Sequence, residues 1–564
     1  MPRQSQLLEL DLRSGVVTNE SLYVIGPRLW RATNSVWQYR YPRATVPRMH
    51  MMPQAVTLAD AVTYTGATAF RDIGYTRNAT IATVGGSPNI GILVFGAGAT
   101  GYYSAWRYTT GGTELPFDGT AVRVPLAGVA AAAPGWSLRW DTPGTNPRGG
   151  GATSDGVTIF GHPGVVRVYY LLDTDTAIYD LSTDIGATCP LGAHAGTIHL
   201  DRLWLIQTAS AFASIVYYTD PFNLDSIRTT NTIRVRGRAT ALCPGQFGAI
   251  DASGVAHLVI GTLDGVYVLD GDPQLGGGLQ ADLRTLSTTV GVLNAHSIAV
   301  TRFGVFFFGT DGDLWWIPPG CQDMRPVGGP IYDQLGQAGV SGTLQYDWTS
   351  PSSLLWFDPY LYLFPGGETQ HHWLAEPSAE GVRFWGPVVG DSDVASREAV
   401  IRQPLFDYLY HNVGGVDGLS MNSVTRTPVA GLAQRASIGQ RFGNNYHRTA
   451  SVQTGLMNVA GHRVQATRVI LETLRQPLTA IGSATPVWSV TATDELGRSV
   501  TGSLHPEPAV PVGTNLQTVT QTQHFALPPL PASRGIAITI SVTTEADLCL
   551  QRAFVELHTT PAQF

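Results

Sequence analysis

No lysine occurs anywhere in this 564-residue chain, so all 35 of its basic residues are arginine. A GC-rich codon bias is the simplest origin, and the chemical consequence is the same whatever the origin. Without lysine there is no Schiff-base residue and no phosphate-loop lysine, which removes whole enzyme classes. Arginine suits bidentate pairing at protein contacts, because its planar fork is always charged. Cysteine is scarce too: Cys189, Cys243, Cys321 and Cys549 lie far apart with no C-x-x-C spacing. Neither a zinc site nor a disulfide framework is implied, and the four read as small hydrophobes. Charged residues make up only 14% and the net charge is a mild −7, which argues against a dedicated nucleic-acid binder. No apolar run approaches membrane-spanning length, and the opening Met1-Pro-Arg-Gln-Ser-Gln6 holds no apolar leader. The expectation is a protein made and folded in a reducing cytoplasm, with no stable membrane insertion. Helical periodicity is scarce as well, the nearest candidate being a short stretch from Ser392.

What remains is a composition for strands and turns: Gly 63, Pro 36 and 9% aromatics. Seven apolar arms, each beside a glycine turn, recur at steps of 46 to 65 residues. They are Gly91–Phe95, Gly156–Phe160, Arg202–Ile206, His257–Ile260, Gly304–Phe308, Tyr360–Phe364 and Phe406–Tyr410. A strand-built repeat of that length is the mark of a radial array in which each unit buries its faces against its neighbours. Asp264-Gly265, Asp311-Gly312 and Asp417-Gly418 sit between apolar arms, where Asp-Gly tolerates the positive φ of a tight hairpin. These features predict an all-β chain with a β-propeller of six to seven blades over 61–440; an irregular set of sandwiches is the other all-β reading. Beyond a polar bridge, 446–564 loses the hairpin rhythm and alternates polar with apolar residues between Pro-rich loops, which predicts a C-terminal antiparallel β-sandwich.

Residues 1–60 read as an N-terminal arm and assembly segment. Arg28, Arg31, Arg40, Arg43 and Arg48 fall there among Trp30, Trp37, Tyr39 and Tyr41. Such interleaving serves single-stranded nucleic acid, a protein interface or guanidiniums stacked structurally within the chain. The interface reading is taken, with Arg28, Trp30, Arg31, Arg40, Arg43 and Arg48 as its residues, because the rest of the chain adds no basic surface.

Several phrases mimic active chemistry. Gly96-Ala-Gly-Ala-Thr-Gly101 satisfies G-x-G-x-x-G, but β-prone Tyr102–Tyr108 follows where a dinucleotide site needs a helix, so a hairpin turn is expected. Asp173, Asp175 and Asp180 lack the central glycine and terminal carboxylate of a calcium loop, so a solvated turn is expected. Adjacent His371 and His372 on a strand would face opposite ways, and His194 and His199 have the wrong parity to share a metal. Gly309-Thr-Asp-Gly-Asp-Leu-Trp315 brushes against the aspartate-box turn of sialidases without repeating it. No recognisable nucleophile motif or glycosidase acid pair appears. The expectation is no enzyme, no cofactor, no metal and no small-molecule substrate.

Leu10–Asn19, then Gly26-Pro-Arg-Leu-Trp-Arg-Ala-Thr-Asn34, resembles the opening of a group of tailed-phage virion proteins, and Tyr217–Asp225 resembles a turn of the same group. The family in view is the propeller-bearing tail nozzle of short-tailed phages, tail tubular protein B. The resemblance implies a structural virion protein made in the host cytoplasm, working as a homo-oligomeric ring, a hexamer, around the DNA exit channel. It implies docking to an adaptor ring and tail fibres, transient non-specific passage of viral DNA, and no active-site residues to carry over. The chain is shorter than the larger nozzles, which keeps open a host receptor-binding or fibre-attachment tail protein. An extracellular carbohydrate-active propeller enzyme is the further alternative.

Overall fold

In the computed structural model the seven apolar arms fall on the second strands of seven four-stranded antiparallel sheets. The structure describes residues 4–33, 35–38, 48–51, 56–57, 67–78, 89–98, 102–108, 118–125, 136–141, 143–145, 152–153, 156–161, 167–172, 178–185, 189–224, 226–245, 255–273, 282–335, 353–357, 360–364, 371–389, 398–402, 407–413, 423–428, 449–474, 487–502, 505–506, 520–543 and 550–562. The second strands read as continuous apolar runs because both their faces are covered: every residue of Val157–Gly161, His257–Thr262 and Gly304–Phe308 is buried.

The first strands of successive sheets neighbour one another in order. They are Ala67–Asn78, Trp136–Trp140, Ala195–His199, Ala239–Pro244, Ile298–Thr301, Ser353–Phe357 and Glu398–Arg402, and the last returns to Ala67–Asn78. The seven sheets therefore close into a seven-bladed β-propeller. The seventh blade takes its outermost strand, Val56–Thr57, from the N-terminal side of the chain, where it pairs with Ser423–Pro428. That pairing ties the two ends of the ring together.

Two larger sheets lie outside the ring. One holds Gln4–Glu9, Ser35–Gln38, Arg48–Met51, His462–Leu474, Thr520–Ala526 and Leu550–Pro561. The other holds Asp11–Val16, Arg28–Thr33, Thr449–Thr454, Val487–Asp494, Ser499–Thr501, His505–Pro506 and Ile536–Thr543. The expected alternation is present: Val487–Asp494 is buried at every second residue. The arrangement differs from the expected separation of an arm at 1–60 from a C-terminal unit, because strands from both ends interleave in each sheet. Strand backbone needs partners on its flanks, and the N-terminal strands find theirs in the C-terminal ones.

Buried side chains of both sheets, such as Val469, Val555, Val490 and Ile540, join Phe306, Leu361 and Trp385 of blades five and six in one hydrophobic cluster. Polar ties cross the same seam. Thr18 N and Asn19 N donate to Pro330 O at 2.8 and 3.2 Å, and Tyr360 Oη donates to Trp37 O at 3.1 Å.

The Asp-Gly hairpins divide. Gly312 has φ +87° and donates to Gly309 O at 3.0 Å in a four-residue turn, as expected. Gly265 is not at positive φ, which corrects the expectation for it. Its need for glycine is spatial instead, since a Cβ there would lie 2.6 Å from Ser287 O. Asp417-Gly418 lies outside the described residues. Both Gly312→Val and Gly265→Val are expected to cost roughly 1–3 kcal/mol, the first through backbone strain and the second through overpacking. Gly312→Asn, which tolerates the left-handed region, should recover most of the first loss, whereas Gly265→Asn should recover none. Urea midpoints of the four variants check both causes.

Candidate functional site

Among the described residues, a cluster of ionisable side chains lies where blades three, four and five meet, at the end of the ring carrying their first-to-second strand turns. In blade three, Ala195–His199 turns back into Arg202–Ser210 through only two residues, Leu200 and Asp201, at φ 51° and 53°. Two successive left-handed residues form the hairpin turn that matches strand twist, here without glycine. The turn sets His199 opposite Arg202. Arg202 Nη2 donates to both carboxylate oxygens of Asp272 in blade four at 2.9 Å. Its Nη1 donates to Thr219 O at 3.2 Å, and its guanidinium lies 5.9 Å from the Tyr218 ring centre. Tyr218 stacks in turn on fully buried Trp204 at 4.7 Å.

Beside this pair stands His257, whose Nδ1 meets Asp270 Oδ1 at 2.6 Å. Arg284 Nε binds the same carboxylate, and Arg284 Nη2 reaches Cys321 O of blade five at 3.1 Å. Burial pushes the Asp270 carboxyl up, but the hydrogen bonds from Arg284 and His257 outweigh it and hold the carboxyl below its usual range. His199 packs edge-on against Trp204 at 6.2 Å, and neither of its ring nitrogens has a hydrogen-bond partner. Burial, with His257 nearby, depresses its pKa to about 4 against a smaller upward pull from Asp272.

Chemically, an imidazole held by a carboxylate is the geometry of a general base. Here the His257 side chain is only 4% exposed, so the pair faces the blade boundary. The arrangement works as a polar joint: Arg202–Asp272 ties blade three to four, and Arg284 ties blade four to five.

The other residues singled out from sequence are dispersed. Arg28 is engaged within the chain, with Glu20 at 2.6 Å and Val24 O at 3.2 Å. Trp30 is half-buried, and exposed Arg31 stacks over it at 5.2 Å. Arg48 lies on a strand paired with Gln38, while Arg40 and Arg43 lie outside the described residues. On either side of the glycine run, Asn89–Gly98 pairs antiparallel with Tyr102–Tyr108, and 99–101 lie outside the described residues. Asp180 accepts from Arg167 and from Thr183 N and Oγ1. Asp173 and Asp175 lie outside the described residues. Asp311 accepts from Trp315 Nε1 at 3.0 Å, closing its turn. Residues 219–224 form a turn after Ala213–Tyr218, with Asn223 N donating to Asp220 O at 3.2 Å, and Asp225 lies outside the described residues. Cys189, Cys243 and Cys321 are buried thiols. Among the described residues, no group of three or more His, Cys, Asp or Glu is placed to hold a metal, and no helix is long and apolar enough to cross a membrane. The joint itself went unseen in the sequence. Its one local signal was His-Leu-Asp-Arg between two apolar runs, and its other half lies 70 residues away.

No protein-family model matches the chain, and no curated protein does. Among solved structures, the β-propeller domain of Swd1 from Myceliophteria thermophila is 11% identical, covers 65% of this chain and 99% of its own, and has a TM-score of 0.33. A Trypanosoma rangeli sialidase is 9% identical over 94% of this chain and 97% of its own, with a TM-score of 0.29. A fructofuranosidase from Schwanniomyces occidentalis is 10% identical over 90% and 99%, with a TM-score of 0.25. These neighbours correct one expectation. The expectation of no enzyme rests on the absence of familiar catalytic motifs, yet the propeller chains similar to this one include a sialidase and a fructofuranosidase. That exclusion is withdrawn. Likeness of this degree concerns the fold alone, and no chemistry passes from those proteins to this chain.

Proposed function

We propose that this chain is a structural protein of a bacteriophage tail, a nozzle-type subunit that assembles into a ring of copies around the DNA exit channel and docks neighbouring tail proteins. One observation carries the reading. The head phrases that resemble the nozzle family are the segments that join the propeller to its base. Asp11–Val16 and Arg28–Thr33 are two adjacent strands of one base sheet, and Thr18 and Asn19 bind the blade-five tail at Pro330. A propeller carried on a base woven from both chain ends is a rigid part suited to repeated stacking in an assembly. Exposed Arg31 over Trp30 is offered to that assembly surface.

A second reading is recognition of a host-surface glycan, favoured by Phe212, which is 81% exposed at the tip of the hairpin joining Arg202–Ser210 to Ala213–Tyr218. An exposed aromatic ring can stack on the apolar face of a sugar. Electron microscopy of the purified full-length protein tests the first reading: rings with a central channel are expected, and single particles of one chain at every concentration would reject it. Glycan-array binding lost on Phe212→Ala, with no ring formed, would move the assignment to the second.

A further inference from the structure

Besides Ser35–Gln38, the six-stranded base sheet has two strands whose outer flank no described strand covers. We infer that these edges, Gln4–Glu9 and Thr520–Ala526, pair with each other between neighbouring copies, so that one sheet runs on from subunit to subunit. The inference rests on the ring assembly proposed above and supplies its contact.

The hydrogen-bond phase of each edge is fixed by a bond at its end. Leu10 N donates to Ala553 O at 2.9 Å, next in register after the Glu9–Phe554 pair. Antiparallel pairs alternate in the direction of their backbone groups, so Gln6 and Leu8 point theirs into the sheet, while Ser5, Leu7 and Glu9 point theirs away from it. Likewise Leu527 N donates to Thr467 O at 2.9 Å, next after the Arg468–Ala526 pair. Gln523 and Phe525 therefore face inward along the ladder, and the backbone groups of Thr522, His524 and Ala526 face outward. All six outward residues are exposed, Leu7 to 56%. Gly502 approaches Ala526 O, but no described strand lies along either outer flank, and an edge strand without proline or lysine is a template for strand addition.

Direction and register both fit. The path from Gln4–Glu9 through Leu550–Pro561 and His462–Leu474 to Thr520–Ala526 crosses three antiparallel pairings, so the two edges run antiparallel to each other. Laid side by side by a rotation that preserves sheet direction, they form another antiparallel pair. Residues already share rows across the sheet: Leu7–Glu556–Arg468–Ala526, Leu8–Val555–Val469–Phe525 and Glu9–Phe554–Ile470–His524. Continuing each row into the next copy sets Glu9 opposite His524, Leu8 beside Phe525 and Leu7 opposite Ala526. Outward backbone then meets outward backbone, carboxylate meets imidazole, and apolar meets apolar. The contact uses different surfaces on the two partners, so its repetition builds a ring when the rotation divides a full turn.

The test uses the full chain. Leu7→Pro removes one outward N–H, leaves the inward ladder of Gln6 and Leu8 in place, and should weaken assembly by at least roughly tenfold, read by light scattering. Glu9→Cys combined with His524→Cys, treated with a short bismaleimide, should give a ladder of covalent multimers, whereas either single variant should give none. The cross-link reads the contact even if Leu7→Pro proves poorly folded. If the double variant forms rings without cross-linking at these positions, edge pairing is overturned while the ring reading stands. If the wild type never assembles, both fall.

Discussion

Replacing Arg202 by alanine is expected to lower the unfolding free energy by roughly 3–5 kcal/mol, far more than loss of a surface ion pair. The guanidinium is nearly inaccessible, and one Nη atom holds both oxygens of Asp272. Truncation also strips the bond to Thr219 O and the face of Tyr218, and it leaves a carboxylate that is only 17% exposed without its cation. The large term is that stranded charge rather than the attraction itself, so the cost should fall when both partners are removed together. Arg202→Met with Asp272→Leu is expected to be clearly less destabilising than Arg202→Ala alone. Urea unfolding of the two variants and the wild type decides the matter. A loss below about 1 kcal/mol for Arg202→Ala would place the pair with surface bridges and refute the joint between blades three and four.

How far the fold can be read from the sequence depends on which strand of a blade is considered. The second strands were legible because burial on both faces demands unbroken apolar runs such as Val305-Phe-Phe-Phe308. The outer strands were not: Thr232–Arg236 buries only Val235, and Val56–Thr57 is two residues whose partner lies beyond position 420. Such short edges acquire their identity from pairing, which no local pattern encodes. The base sheets were half legible for the same reason. Alternation marks 487–493 and 551–557 as strands, inside the observed Val487–Asp494 and Leu550–Pro561, but nothing in Gln4–Glu9 announces that Leu8 belongs beside Val555. The polar joint was hidden twice over. Its hairpin uses Leu200-Asp201 where the preference is Asn-Gly, and the first residue of an apolar arm, Arg202, proved to be its central cation. Glycine misled in the other direction, since Gly265 is demanded by the approach of Ser287 and not by φ.

Between about pH 6.5 and pH 4 the protein is expected to lose on the order of 3 kcal/mol of stability for each of His194 and His199. Both have pKa values depressed from 6.5 to about 4, chiefly by burial, with His257 adding to the effect at His199. An unfolded chain takes up these protons as pH falls through 6.5, while the folded chain resists until about 4. The unfolded state therefore binds more protons across that window, and stability is present in full above it and lost on going down. Other groups act elsewhere or in the opposite sense. Asp270, held low despite its burial by Arg284 and His257, loses its contribution only at more acidic pH. Asp313 and Glu376, both raised by burial, favour the folded state as they protonate. At His199 the incoming proton would face Arg202 and His257 on one side and Asp272 on the other, with Asp270 and Arg284 behind them, and its ring nitrogens have no acceptor in place to receive it. His199→Leu removes the titrating group and keeps an apolar side chain against Trp204. Urea midpoints at pH 7, 5.5 and 4 should then fall about half as far for this variant as for the wild type. If the two curves keep the same slope, His199 is not held neutral by its surroundings, and the tightness of the boundary between blades three and four is disproved along with it.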